Sequence, residues 1–255
     1  MKQSAGIMLA LLLFGAVGSG WAQEKQDVTV AAALSLKGAF EELALLYEVK
    51  HSGDRVQFNF AASGVLQRQI EAGAPIDVFA SASSREMDEL DRQQLLEVAS
   101  ARTFARNRIV LVVPAEGRAA IRSFRELRQA AVQRIAIGNP ATVPAGRYAE
   151  EVLRHANVWD SVRGKLILCE NVRQVLDYTA RGEVDAGVVF ATDAAGVNGI
   201  AVAAAAPAAS HSPASYQAAM LRGAEHRAAG RAFIDLLLSA EGQAVLKRRG
   251  FLAAP

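Results

Sequence analysis

Short apolar runs alternate with amphipathic stretches along most of the chain, a pattern that predicts strands followed by helices. Val28 to Leu34 reads as a strand. Leu36, Ala39, Phe40, Leu43, Leu46 and Tyr47 then recur at a helical period and carry one face into a core, with Ser35 at the junction as the expected N-cap. Val56, Phe58 and Phe60 alternate with Gln57 and Asn59 as a second strand, which leads through Ser63-Gly64 into a helix over 65–72. The same reading gives a strand over 76–80 and a helix over 84–96, then a strand over 109–113 ended by Pro114. A helix over 123–130 follows, then a strand over 135–137, a helix over 145–156, a strand over 166–168, a helix over 172–181, and strands over 187–190 and 200–205. After a polar, proline-containing loop at 211–215 the chain closes with helices over 228–239 and 241–249.

This order predicts an α/β fold with mainly parallel strands. Breaks in the pattern near residues 106 and 206 predict two lobes joined by a double crossover: 23–105 with 207–255 as lobe 1, and 106–206 as lobe 2. Such lobes enclose a cleft with a hinge beneath it, suited to closing on a small ligand.

Four strand-to-helix junctions place small or uncharged polar residues where a helix begins: Ala33-Leu34-Ser35-Leu36, Phe60-Ala61-Ala62-Ser63-Gly64, the segment from Asn139 to Gly146, and Glu170-Asn171-Val172-Arg173. A helix N-terminus exposes free N–H groups and about half a positive charge, so it suits an anion. Taken singly these are ordinary structural features, since a serine cap or a proline in the first turn serves the helix itself. Four of them, two from each lobe, at the ligand-binding ends of the strands point to an anion site in the cleft.

Composition removes other classes. With 28 Lys+Arg against 26 Asp+Glu the net charge is +2, and no basic stripe marks a nucleic-acid partner. The single cysteine, Cys169, excludes an intramolecular disulfide and a multi-cysteine metal site, and following Leu166 to Leu168 it reads as a buried small hydrophobe. Four scattered histidines form no metal-binding pair, so no metal site and no cofactor is expected. No GxSxG elbow surrounds any serine, and Glu41-Glu42 and Glu150-Glu151 fall in helical patterns with a solvated face. An exported serine hydrolase is thus only a distant alternative, and no enzymatic activity is expected. At the N-terminus, Lys2, the apolar stretch from Ile7 to Val17 and Gly20-Trp21-Ala22 read as a signal peptide over 1–22, with cleavage near Ala22 leaving about 233 residues. The apolar run is too short for a comfortable membrane span, and no cysteine stands near the cleavage point for lipid attachment.

These residues bring a family into view. The chain resembles the periplasmic molybdate-binding proteins of ABC transporters, the ModA family, along essentially all of the mature sequence. The resemblance rests on the stretch from Ala31 to Leu36, on Phe60 to Gly64 followed by the segment from Arg68 to Phe79, and on Gly138-Asn139-Pro140 with Val143 to Ala149. Glu170 to Arg173 and Gly187 to Ala194 complete it. It implies a type II periplasmic binding protein fold, two lobes each built on a mainly parallel sheet flanked by helices, with the ligand in the cleft between them. It also implies capture of molybdate or tungstate and delivery to an inner-membrane ABC permease by a periplasmic protein, expected to be a monomer. A sulfate-binding protein or an oxyanion sensor is the alternative within the fold. Carried over position by position, the oxyanion is held by the hydroxyls of Ser35 and Ser63 and by backbone N–H groups of Ala145 and Val172. The family's tyrosine position falls on Phe190, which lacks the hydroxyl. A lost donor to a charged ligand costs about 1.5–3 kcal/mol unless Thr192 or a water substitutes, so Phe190→Tyr is expected to tighten molybdate binding in calorimetry.

Overall fold

The computed structural model describes residues 27–116 and 120–254. The signal-peptide reading over 1–22 lies outside the described residues. Among the described residues, eleven strands form two sheets. The strands β1 (Asp27–Ala33), β2 (Arg55–Ala61), β3 (Val78–Ser81), β4 (Arg102–Arg106), β10 (Ser215–Met220) and β11 (Leu252–Ala253) form the first, in the order β11-β4-β10-β3-β1-β2. The strands β5 (Ile109–Pro114), β6 (Ile135–Gly138), β7 (Leu166–Cys169), β8 (Ala186–Phe190) and β9 (Ile200–Ala205) form the second, in the order β7-β6-β8-β5-β9. The chain therefore passes between sheets twice, once through Asn107-Arg108 and once through 206–214. The helices are α1 (Lys37–Lys50), α2 (Ser63–Glu71), α3 (Ser84–Arg92), α4 (Pro144–His155), α5 (Trp159–Val162), α6 (Val172–Ala180), α7 (Ala191–Ala194), α8 (Arg227–Leu238) and α9 (Ala240–Arg248).

The first sheet is organised around β1, whose residues are buried almost throughout and which pairs in parallel with β2 and β3. Above it Phe40 of α1 meets Phe104 and Phe233 with ring centroids 5.9 and 5.5 Å apart, and all three rings are fully buried. Each such side chain contributes roughly 1.5–3 kcal/mol by leaving water. The carboxyl ends of these strands carry alanines: Ala31 to Ala33 on β1, Ala61 at the end of β2 with Ala62 after it, and Ala82 after β3. Small side chains there leave space at the end of the sheet for a ligand and let the following helix start close by.

Several expectations need correction. Both sheets are mixed rather than mainly parallel: β10 runs antiparallel to β3 and β4, β11 antiparallel to β4, and β5 antiparallel to β8 and β9. The strands β4, β10 and β11 have no counterpart in the sequence reading. Ser-Tyr-Gln-Ala-Ala-Met is too short and too alanine-rich to give a clear period, and only neighbours on both edges make β10 a central strand. The helix expected over 84–96 ends at Arg92, because Gln94 turns into the left-handed region (φ 58°) and Leu96 bridges to Leu221 instead. The helix expected over 123–130 is a 3-10 turn over Phe124–Arg128. Ser35 does not cap α1; it sits inside the 3-10 turn Leu34–Leu36, and its side chain is engaged elsewhere.

Candidate functional site

The four junctions singled out in the sequence converge on one cavity between the sheets. Its wall includes Ala33, Leu34 and Ser35 from the first junction, Ala61, Ala62 and Ser63 from the second, Val143, Pro144 and Ala145 from the third, and Asn171 and Val172 from the fourth; Ala82 and Phe190 complete it. The residues carried over from the family resemblance, Ser35, Ser63, Ala145, Val172 and Phe190, are thus all brought together. The cavity volume is about 20 Å³. A water molecule needs roughly 10–15 Å³ on the same measure, and pockets for drug-sized molecules are more than tenfold larger, so only a compact ligand fits. Among the described residues, no Asp, Glu, Lys, Arg or His side chain contributes to the wall.

Positive potential comes from the backbone instead. The helices α2, α4 and α6 all begin at the cavity. Ala145 is the second residue of α4 and Val172 the first of α6, positions whose N–H groups have no carbonyl partner within the helix. Pro144 at the start of α4 fixes φ without sacrificing a needed donor. Asn171 caps α6 by accepting from the Gln174 N–H at 3.0 Å, which orients that first turn. Gly146 lets α4 dock tightly on β6: a Cβ there would stand 1.9 Å from the Gly138 carbonyl oxygen, so only glycine permits the approach.

The two serines are held differently. Ser63, fully buried at the start of α2, accepts a hydrogen bond from the Ala82 N–H at 3.1 Å. Its own proton is therefore free for another partner. Ser35 Oγ lies 2.9 Å from the hydroxyl of Tyr216, a fully buried residue of β10 whose ring centroid is 5.5 Å from that of Phe190. Burial pushes the Tyr216 phenol well above its usual range, so it stays protonated. Thr192, two residues beyond Phe190, is not part of the cavity wall. It accepts from Asn107 Nδ2 at 2.8 Å and lines a neighbouring cleft with Asp193 instead. Burial raises the Asp193 carboxyl to about 7, offset in part by the Phe190 N–H, and its Oδ2 is buried without a hydrogen-bond partner among the described residues.

The sheets are also tied to each other across the cleft. The Gly64 N–H donates to the Thr142 carbonyl at 3.0 Å, and a Cβ at Gly64 would stand 2.8 Å from that oxygen. Arg147 of α4 reaches Glu86 of α3 at 2.5 Å and Ser83 at 3.2 Å, with both side chains of the ion pair largely buried. Beside it Tyr148, whose phenol burial raises to about 12, packs its ring 6.1 Å from Phe190. Sequence reasoning missed Ala82, Asn107 and Tyr216, because their roles arise from contacts with residues 19, 85 and 181 positions away. Cys169 is buried as expected, and its thiol is raised to about 11 by burial, which keeps it an inert thiol. Glu42 and Glu150 pair with arginines on the surface, as a solvated helix face would.

A cleft between two mixed sheets, crossed twice by the chain and walled by helix N-termini, suits the capture of a small solute. Comparison with known proteins agrees: residues 28–252 match the family of bacterial extracellular solute-binding proteins, and the chain belongs to that family. More particularly, the molybdate-binding protein ModA of Haemophilus influenzae is 35% identical over 258 residues, covering 99% of this chain and 100% of that protein. YvgL of Bacillus subtilis, named as a substrate-binding lipoprotein of an ABC transporter, is 36% identical over 231 residues, covering 91% of this chain and 88% of its own. The solved periplasmic molybdate-binding protein of Azotobacter vinelandii superimposes with a TM-score of 0.80 at 26% identity, covering 89% of this chain and 100% of that one.

Proposed function

We propose that this protein is a periplasmic receptor that captures molybdate or tungstate in the cleft and delivers it to an inner-membrane ABC permease. The observation that carries this reading is the uncharged cavity wall: two serine hydroxyls, helix N-termini at Ala145 and Val172, and no ionisable side chain among the described residues that line it. A fully deprotonated tetrahedral dianion presents acceptors on every side and is matched by such a wall. A protonated phosphate needs an acceptor for its own proton, and the wall holds no carboxylate. Relatives named for molybdate binding support the same ligand.

In this reading the halves 23–105 with 207–255 and 106–206 move as lobes about the two crossovers. Each lobe supplies part of the donor set, so the anion binds the closed form preferentially and shifts the population toward it. The protein is exported with cleavage near Ala22 and works as a monomer. A thermal-shift panel of molybdate, tungstate, sulfate and phosphate tests the ligand. An anion at a hundred times its dissociation constant stabilises the folded state by about 2.7 kcal/mol. Molybdate and tungstate are expected to raise Tm, and phosphate to leave it unchanged. A shift with sulfate alone would reassign the ligand, and no shift with any of the four would overturn the oxyanion reading.

A further inference from the structure

We propose that Asn107 and Tyr216 set the direction of the Ser35 hydroxyl, and that this hydrogen-bond chain is a determinant of selectivity for fully deprotonated oxyanions. The inference rests on the reading that Ser35 contacts an oxyanion.

The direction of the chain follows from its far end. Asn107, 6% exposed, is half of the two-residue link between β4 and β5. Its Oδ1 accepts the Arg108 N–H at 2.8 Å, which fixes the amide so that Nδ2 faces the opposite way. There Nδ2 has two acceptors within reach, Thr192 Oγ1 at 2.8 Å and Tyr216 Oη at 3.3 Å, one for each of its hydrogens. An amide nitrogen only donates, so Tyr216 Oη accepts from it. The single proton of the phenol then goes to the remaining partner, Ser35 Oγ at 2.9 Å. Ser35 in turn accepts, and its own proton is left for the cavity it lines. Ser63 reaches the same state by a shorter route, because a backbone N–H can only donate to it. Both serines therefore present O–H donors to the ligand, one by a main-chain amide and one through a relay of two side chains.

A hydroxyl is otherwise free to rotate and to accept as readily as it donates. Without the relay, Ser35 could turn its oxygen to the proton of a hydrogen phosphate. Tyr216 and Asn107 are thus positioning residues that act through Ser35. The relay also runs from the cavity to the crossover and on to Thr192 beside β8, so the orientation of Ser35 depends on how the link between the sheets is held.

The test compares molybdate with hydrogen phosphate at about pH 8, where both carry two negative charges and only phosphate retains a proton. Dissociation constants are measured by calorimetry for the wild type, Tyr216→Phe and Asn107→Asp. Tyr216→Phe removes the donor to Ser35; molybdate affinity is expected to fall about tenfold. Phosphate affinity is expected to hold or rise, compressing the ratio. Asn107→Asp reverses the relay, since a carboxylate accepts from Tyr216 and leaves Ser35 to donate to the phenol. Its added charge weakens both dianions alike, so a fall in the ratio reads the reversal. Asn107→Asp also serves if Tyr216→Phe fails to fold. Wild-type protein that binds molybdate together with variants that keep its selectivity ratio would overturn the relay; wild-type protein that binds no oxyanion would overturn the underlying reading instead.

Discussion

The two halves of the cavity supply donors of different kinds. The wall built on the first sheet offers side-chain hydroxyls, Ser35 and Ser63, whose direction is set by neighbours on other elements. The wall built on the second sheet offers main-chain N–H groups at the starts of α4 and α6, whose direction is set by the helix itself. A hydroxyl can be deleted or reoriented by one substitution, whereas an amide survives any substitution except proline. On the proposed reading, the first half is therefore where affinity and selectivity can be tuned by mutation, and the second acts as a nearly fixed anion cradle.

Four substitutions sharpen that contrast. The largest effect is expected for Ser63→Ala. It removes a donor to a charged ligand and, in the closed form, strands the Ala82 N–H, for a loss of about 3 kcal/mol, or more than a hundredfold in Kd by calorimetry. Next is Val172→Pro, which deletes the amide while keeping the helix, since proline is accepted at the first helical position and Asn171 before it is already extended (φ −161°, ψ 171°). It should cost about 1.5–3 kcal/mol, while Val172→Ala leaves affinity near that of the wild type. Equal losses for the alanine and proline variants would show that the side chain, not the amide, matters.

Arg147→Ala acts on neither donor set but on the contact between the halves. Removing the buried partner of Glu86 should speed ligand dissociation about tenfold in stopped-flow, about 1.4 kcal/mol, with partial recovery in Arg147→Lys. An unchanged dissociation rate would mean that the ion pair does not hold the closed form. The smallest effect is expected for Asp193→Asn, in stability rather than binding. The folded protein holds the Asp193 proton up to about pH 7, above the unfolded value, so the stability this group contributes is present at low pH and is lost as pH rises through about 7. The asparagine variant keeps an acceptor for the Phe190 N–H. It should melt a few degrees above the wild type at about pH 8 and show no such advantage below about pH 4; parallel melting curves at all pH values would refute it.

Much of this architecture was legible in the chain before folding. Alternating strands and helices, the small residues at four junctions and the Pro144 start of α4 are local signals, each readable within a dozen residues. Of the strands that make the sheets mixed, β5 and β9 were legible as strands but not in their direction, and β4, β10 and β11 were not legible at all. β10 carries neither a strong period nor a flanking signal, and it becomes a strand only because β3 and β4 offer partners on both sides. The same strand brings Tyr216 to Ser35, so the unread element also hid the unread site residue.

The sequence alone determined which residues could donate to an anion, since hydroxyls, helix starts and the absent hydroxyl at Phe190 are properties of single positions. Tertiary structure decided how they are used. It closed four junctions around one small cavity, left no ionisable side chain among the described residues of its wall, and fixed through Ala82, Tyr216 and Asn107 which way each serine proton points. Hydrogen-bond direction depends on what stands on the far side of each oxygen, and that neighbour is set by the fold rather than by the adjacent sequence.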